Sequence, residues 1–151
     1  MSGKSNHYDA MVAIQSIIQG IGLTGISHAP VIQEVLNYKT PDIQTPVVLI
    51  APWGPEQYDD SAELNDQDAP VYGIAVAIVA DADNQATSLE TRLQWRQQIR
   101  RRMKNASLPG LTQSYQLNCK PFAVVDQAAW MNDQKFVSGF LVMTSFQEPR
   151  S

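Results

Sequence analysis

Residues Pro70–Asp81 read PVYGIAVAIVAD, a run in which large side chains alternate with small ones. The large set is Tyr72, Ile74, Val76 and Ile78, and the small set is Gly73, Ala75 and Ala77. Successive side chains of a β-strand point to opposite faces of the sheet. The run therefore predicts a strand with one bulky face and a second face that another element can approach closely.

The segments on either side of this strand predict an α+β fold. In chain order the predicted elements are a helix over 8–21, strands over 47–50 and 70–81, a helix over 89–103, and strands over 112–126 and 136–147. The first helix ends at a group of glycines, the strand over 47–50 ends at Ala51–Pro55, and residues 130–133 connect the last two strands. Residues 26–45 fit either a short helix or a strand. The order α-β-β-α-β-β predicts one domain over 1–151, with a mixed or antiparallel sheet flanked by two main helices.

The closing strand has two apolar faces. One face carries Phe136, Phe140, Val142 and Phe146, and the other carries Val137, Leu141 and Met143. A strand that is apolar on both faces is expected to be covered on both sides or to lie at an assembly interface.

Composition excludes several classes of protein. The 151 residues carry a net charge of −4, which argues against general nucleic-acid affinity. The single cysteine, Cys119, excludes an internal disulfide framework. The N-terminus lacks the apolar core of a signal peptide, and no apolar run approaches the ~20 residues that a membrane span needs. We therefore expect a soluble protein made outside the secretory route, with residues 1–7 flexible.

The sequence offers no recognisable catalytic or metal-binding pattern. Neither His7 nor His28 has a serine or cysteine in an activating context, and no glycine-rich phosphate loop occurs. The turn Asp81–Asn84 lacks the glycine and glutamate of a calcium loop, because Ala86 and Arg92 occupy those positions. We predict no catalytic residues, no cofactor and no metal.

Charge is segregated along the chain. Six of the eleven Lys and Arg residues lie between Arg92 and Lys104, whereas six acids lie between Glu56 and Asp68. The acidic segment has little that could pack, so residues 56–69 are predicted to form an exposed loop. The predicted interface residues are Arg92, Arg96, Arg100 and Lys104 on the helix, Asp59, Asp60 and Glu63 in the loop, and Trp53 before it.

The basic residues of the helix have three interpretations. Arg92, Arg96, Arg100 and Lys104 repeat every four residues on a face that also carries Leu89, Leu93, Ile99 and Met103. The arginine stems can cover apolar neighbours while their guanidinium groups reach water. Alternatively, at least one arginine pairs with a carboxylate of an adjacent subunit, or the basic residues contact nucleic-acid phosphates.

The whole chain resembles the tail terminator, or tail completion, proteins of long-tailed bacteriophages and related prophages. The features that carry the resemblance are an opening helix around Met11–Ile14, the strand Pro46–Pro52, the hydrophilic loop, the strand Tyr72–Val79, the helix Leu89–Met103 and the closing run Phe140–Phe146. Neighbouring neck proteins, such as head–tail connectors and stoppers, share this outline.

The resemblance implies a structural virion protein without catalytic residues, assembled in the host cytoplasm. It implies a ring, commonly a hexamer, that caps the tail tube and joins the tail to the neck. Its partners would be other copies of the chain, the tail tube protein and a connector, and DNA would pass through the ring without specific binding. A head–tail connector, a stopper, or a small nucleic-acid-binding domain that uses the arginine-rich helix is the alternative.

Overall fold

The fold is described from a computed structural model, which covers residues 5–39, 43–58, 67–68, 70–82, 88–104, 115–121, 124–146 and 148–149. The elements in chain order are α1 (Asn6–Ile21), β1 (Val31–Ile32), β2 (Val47–Tyr58), β3 (Gln67–Asp68), β4 (Pro70–Asp81), α2 (Leu89–Lys104), β5 (Tyr115–Pro121), α3 (Gln127–Asp133), β6 (Lys135–Phe146) and β7 (Glu148–Pro149). The protein is α+β, as predicted.

The main sheet is mixed and has the strand order β1-β2-β4-β6-β5. Strand β1 runs parallel to β2, and the other neighbouring strands are antiparallel. A separate antiparallel pair joins β3 to β7, with Gln67 opposite Pro149 and Asp68 opposite Glu148. Strand β4 lies at the centre of the main sheet, with β2 on one side and β6 on the other.

The main core lies between one face of this sheet and the two long helices. The side chains of Ile74, Val76 and Ile78 on β4 pack there with residues of α1 and α2. A smaller cluster on the opposite face contains Ala77, Val79 and Ala129. The division between these two clusters follows the predicted alternation of large and small residues along β4.

Helix α1 begins at Asn6, earlier than predicted. The prediction that residues 1–7 are flexible is therefore wrong for the last residues of that segment. The Ser5 hydroxyl caps the helix by accepting from the Tyr8 N–H at 3.1 Å. Residues 6 and 7 are helical, and the His7 ring stacks on Tyr72 with its Nε2 2.8 Å from the Gly73 carbonyl oxygen. Residues 1–4 lie outside the described part of the chain.

Strand β2 is longer than predicted, which also corrects the boundaries of the acidic loop. The segment Ala51–Pro55 does not end the strand, because β4 continues to pair with β2 as far as Tyr58 across an irregularity between Trp53 and Gln57. Strand β1 pairs only with Leu49 and Ile50, so proline is tolerated farther along what is then an edge strand. Residues 56–58 and 67–68 are therefore strand, and 59–66 and 69 lie outside the described residues.

The connection between the last two long strands is a helix, which the sequence interpretation missed. Strand β5 ends at Pro121, and Asp126 caps α3 by accepting from the Ala129 N–H at 3.0 Å. The predicted strand over 112–126 is therefore wrong at its C-terminal end. The ambiguous segment 26–45 contains the short strand β1 and then crosses the sheet, where Leu36, Tyr38 and Ile43 pack against the smaller cluster.

Candidate assembly surface

Helix α2 buries a different set of side chains from the predicted one. Its buried residues are Arg92, Trp95, Ile99 and Met103. Leu89 and Leu93 are exposed, so the predicted apolar face is wrong for these two residues. The helical period places Arg92, Trp95, Ile99 and Met103 on one side of α2, and this side faces the core. Trp95 lies at its centre, and its indole N–H donates to the Thr24 carbonyl oxygen at 2.7 Å.

Arg92 is buried against its own sheet. Only 4% of the residue is exposed, its guanidinium lies 5.1 Å from the centre of the Phe136 ring, and its Nη2 donates to the Asp81 carbonyl oxygen at 2.8 Å. Burial lowers the pKa of the guanidinium, and the charge of Asp81 partly offsets this effect. The side chain stays protonated, because arginine titrates far above neutral pH.

Arg96 caps the outer edge of β6. Its Nη1 lies 2.8 Å from both the Ser138 hydroxyl and the Gly139 carbonyl oxygen, and its guanidinium stacks 4.3 Å from the centre of the Phe140 ring. Among the described residues, the pairing of β5 with β6 begins at Phe140. Arg96 therefore satisfies the carbonyl of Gly139, the residue directly before that paired segment.

These contacts remove the reason for expecting Arg92 or Arg96 to need a carboxylate from another subunit. Arg100 and Lys104 are exposed, in the same turn as the exposed Arg101 and Arg102. They form a basic surface at the C-terminal end of α2, and their contact with another subunit stays a prediction. The acidic candidates Asp59, Asp60 and Glu63 lie outside the described residues.

A polar cluster surrounds Asp81, the last residue of β4, whose carbonyl oxygen also contacts Arg92. Lys135 contacts a carboxylate oxygen of Asp81, and the Thr45 hydroxyl donates to the other oxygen at 3.1 Å. The hydrogen bond from Lys135 is the largest cause that lowers the pKa of Asp81, followed by that from Thr45 and the charges of Lys135 and Arg92, whereas burial opposes them. Asp81 therefore forms an ion pair with Lys135 within the fold.

An open groove lies between the start of α2 and α3, and we call it the α2–α3 groove. It has a volume of about 770 Å³. Its lining includes Leu89, Arg92, Val125, Trp130, Met131 and Phe136. Leu89, Trp130 and Met131 are exposed by 62%, 41% and 77%, so the groove joins an exposed apolar surface to a buried cation. Exposed apolar surface of this kind marks interaction sites.

A second groove lies on the opposite face of the sheet, and we call it the sheet-face groove. Its volume is about 340 Å³, and Leu36, Trp53, Ala75 and Gly139 are among its lining residues. Trp53 is 41% exposed, and its backbone passes close to Gly73, where an added Cβ would lie 2.6 Å from the Trp53 carbonyl oxygen. The predicted interface residue Trp53 therefore stands at the edge of a floor of small side chains.

Sequence interpretation missed the α2–α3 groove because its parts lie far apart in the chain. Trp130 and Met131 were assigned to a connection, and Leu89 to the apolar face of the helix that also carries the arginines. The signal that could have located them is the aspartate at position 126, a helix-capping residue placed directly before a short run of helix-forming residues.

Within the described ranges, no cluster of three or more His, Cys, Asp or Glu side chains could hold a metal ion. The helices of the described chain are too short or too polar to cross a membrane. No protein-family model matches the sequence, and comparison with curated proteins finds no match.

Proposed function

We propose that the protein is a tail terminator of a long-tailed bacteriophage or prophage, a structural virion protein that caps the tail tube and joins it to the neck. The observation that carries the proposal is the presence of two separate apolar grooves, one beside α2 and one on the opposite face of the sheet. Two distinct surfaces suit a subunit that meets neighbours on more than one side.

The α+β class, with a mixed sheet and helices, is compatible with the same proposal. The elements α1, β2, β4, α2, β5 and β6 follow one another in the predicted sense, and the chain adds α3 and three two-residue strands to them. We also propose that the sheet and the two main helices form a subunit of the tail-terminator type.

Light scattering after size exclusion, followed by electron microscopy of the same fractions, tests the proposal. We expect concentration-dependent closed rings, with six subunits as the expected number, that bind the end of purified tail tubes. Particles that bind the portal side of the neck but not the tube would indicate a connector or stopper instead. A protein that is monomeric at all concentrations would contradict all three roles.

The basic end of α2 favours one second candidate, a nucleic-acid-binding domain. Arg100, Arg101, Arg102 and Lys104 are all exposed within this short segment. If they bind DNA phosphates, affinity should fall steeply as salt is raised. A mobility shift measured between 50 and 200 mM salt separates the candidates, because a terminator through which DNA passes should show no such binding.

A further inference from the structure

The cations that lack an acidic or backbone partner are confined to the C-terminal end of α2. Among the described side chains, two lysines form ion pairs within the fold and two arginines contact the sheet: Lys39, Lys135, Arg92 and Arg96. Four exposed cations form no ion pair with any described residue: Arg100, Arg101, Arg102 and Lys104. Their charge is available to carboxylates of another molecule.

Two of these cations lie on the same side of α2 as two exposed leucines. Each residue advances by about 100° around an α-helix, so four residues lie within roughly 60° of one another: Leu89, Leu93, Arg100 and Lys104. Leu89 is 62% exposed, and Leu93, one turn farther along, is 39% exposed. Arg96 lies between the two pairs and is held by β6. This side of α2 is therefore apolar at its start and basic at its end.

The apolar half of this side opens into the α2–α3 groove. Trp130 and Met131 are partly exposed there, and together with Leu89 they form a concave apolar surface on one flank of the helix. Arg92 also lines the groove, but its contacts with β4 and β6 already engage it, so it does not select an occupant. A concave apolar surface admits the side chains of a polypeptide more readily than the flat surface of a bilayer does.

The carboxylates that border the groove do not neutralise the basic end. Asp81 pairs with Lys135, and Asp126 caps α3. Glu90 lies about 100° from Leu89 around the helix, on a different side. The basic end thus calls for acidic groups from outside the described chain.

The rise of the helix sets the spacing that an occupant needs. From Leu89 to Arg100 the axis advances by about 16 Å. An occupant must therefore place an apolar side chain and a carboxylate about 16 Å apart, which corresponds to roughly eleven helical residues or five extended ones.

We propose that this side of α2, together with the α2–α3 groove, docks a segment of a partner protein that is apolar at one end and acidic at the other. The apolar end packs against Leu89, Leu93 and Met131. Carboxylates at the acidic end pair with Arg100 and Lys104. Because the two ends of the surface differ in chemistry, the contact fixes the direction of the segment as well as its position. The inference does not depend on the tail-terminator function.

A labelled helical peptide of about 20 residues tests this contact, with leucines and glutamates on one side and about eleven residues apart. We expect fluorescence anisotropy to show saturable binding to the wild-type protein. Met131→Asp and Arg100→Glu should each weaken binding by about tenfold or more, because the first places a charge in the groove and the second reverses a paired charge. Both positions are exposed, so circular dichroism should stay native.

Arg102→Glu is the matched control for Arg100→Glu. It makes the same charge reversal at an exposed position in the same turn, and it has the same effect on the helix dipole. It lies roughly 200° away from Arg100 around the axis, so it should bind the peptide like the wild type.

An exchange of charges tests the acidic half separately. A second peptide with lysines in place of the glutamates should bind the wild type poorly. It should bind the double variant Arg100→Glu, Lys104→Glu more tightly than the wild type does, because both members of each pair are then reversed.

The inference is overturned if the acidic peptide does not bind, if Arg100→Glu and Arg102→Glu weaken it equally, or if Met131→Asp leaves it unchanged. It is also overturned if duplex DNA of about 20 base pairs displaces the peptide and binds more tightly, because the basic end would then contact phosphates. Binding to phosphatidylserine vesicles that is lost in Met131→Asp would likewise overturn it and assign the groove to a membrane surface.

Discussion

Arg96 donates through Nη1 to the carbonyl oxygen of Gly139 at 2.8 Å, and the next residue, Phe140, is paired with Pro121 of β5. The carbonyl of Val137, two residues earlier on the same edge, accepts from the Asp126 N–H at 2.9 Å. A helix side chain and a loop amide thus supply hydrogen-bond donors to two carbonyl groups on this edge of β6. The charge within this helix surface has a structural role inside the chain.

The first prediction concerns the hydrogen bond from Arg96 to the Gly139 carbonyl oxygen. Arg96→Met keeps an apolar stem over Phe140 but leaves the Gly139 carbonyl without the guanidinium donor, so we expect a loss of about 1–3 kcal/mol in the free energy of unfolding. Urea denaturation measures it. Arg100→Met is the matched control and should change stability by less than about 0.5 kcal/mol, because Arg100 is exposed. Unchanged stability together with lost self-association would instead assign Arg96 to a subunit interface.

The second prediction uses two glycines in different surroundings. A Cβ on Gly73 would lie 2.6 Å from the Trp53 backbone oxygen, whereas one on Gly20 meets nothing within 4 Å. Gly73→Ala should lower the thermal unfolding midpoint, because the irregular pairing of β2 with β4 must shift. Gly20→Ala lies within α1 and should raise stability by about 0.5–1 kcal/mol. Equal effects of the two substitutions would contradict the close approach of β2 to Gly73.

The third prediction concerns the core face of β6. Phe140 is fully buried among residues of both long helices and lies under Arg96. Phe140→Ala should cost about 3–5 kcal/mol in denaturant unfolding. Trp53→Ala removes a partly exposed aromatic side chain at the sheet-face groove and should cost much less in the isolated protein. Near-wild-type stability of Phe140→Ala would show that this face is not the core.

The fourth prediction is a pH dependence that arises from Asp81. Its pKa is lowered in the folded protein, so the folded state binds fewer protons and the ion pair stabilises the fold above the ordinary pKa of about 3.9. That contribution is lost as the pH falls through the lowered pKa. The side chain is 43% exposed, so we expect at most about 1 kcal/mol.

Asp81→Asn provides the measurement for this prediction. The difference in unfolding free energy between wild type and variant should be largest at pH 5–7 and should shrink as the pH falls below about 4. In a Lys135→Met background the difference should be smaller at every pH, since the main cause of the shift is absent. A difference that does not vary with pH would rule out the ion pair as its source.

Local sequence patterns were sufficient where the physical cause is local. The alternation along Pro70–Asp81 located β4 and divided its two faces correctly, because side-chain direction in a strand has a period of two. The boundaries of α2 were predicted to within one residue for the same kind of reason. The predicted end of the strand at Ala51–Pro55 was wrong. Whether a strand tolerates proline at Pro52 depends on whether a neighbouring strand pairs with that edge, and the local sequence does not contain this information.

By itself, the sequence determined the α+β class, the long central elements and the concentration of charge on one helix, since these follow from periodicity and composition. Only the tertiary structure decided what that charge does. Arg92 and Arg96 meet Asp81 and Gly139, residues brought to them by the pairing of β4 with β6. A guanidinium group in an apolar helix face has the same sequence signature whether its acceptor is water, another subunit or its own sheet, because hydrogen-bond partners are set by the three-dimensional packing.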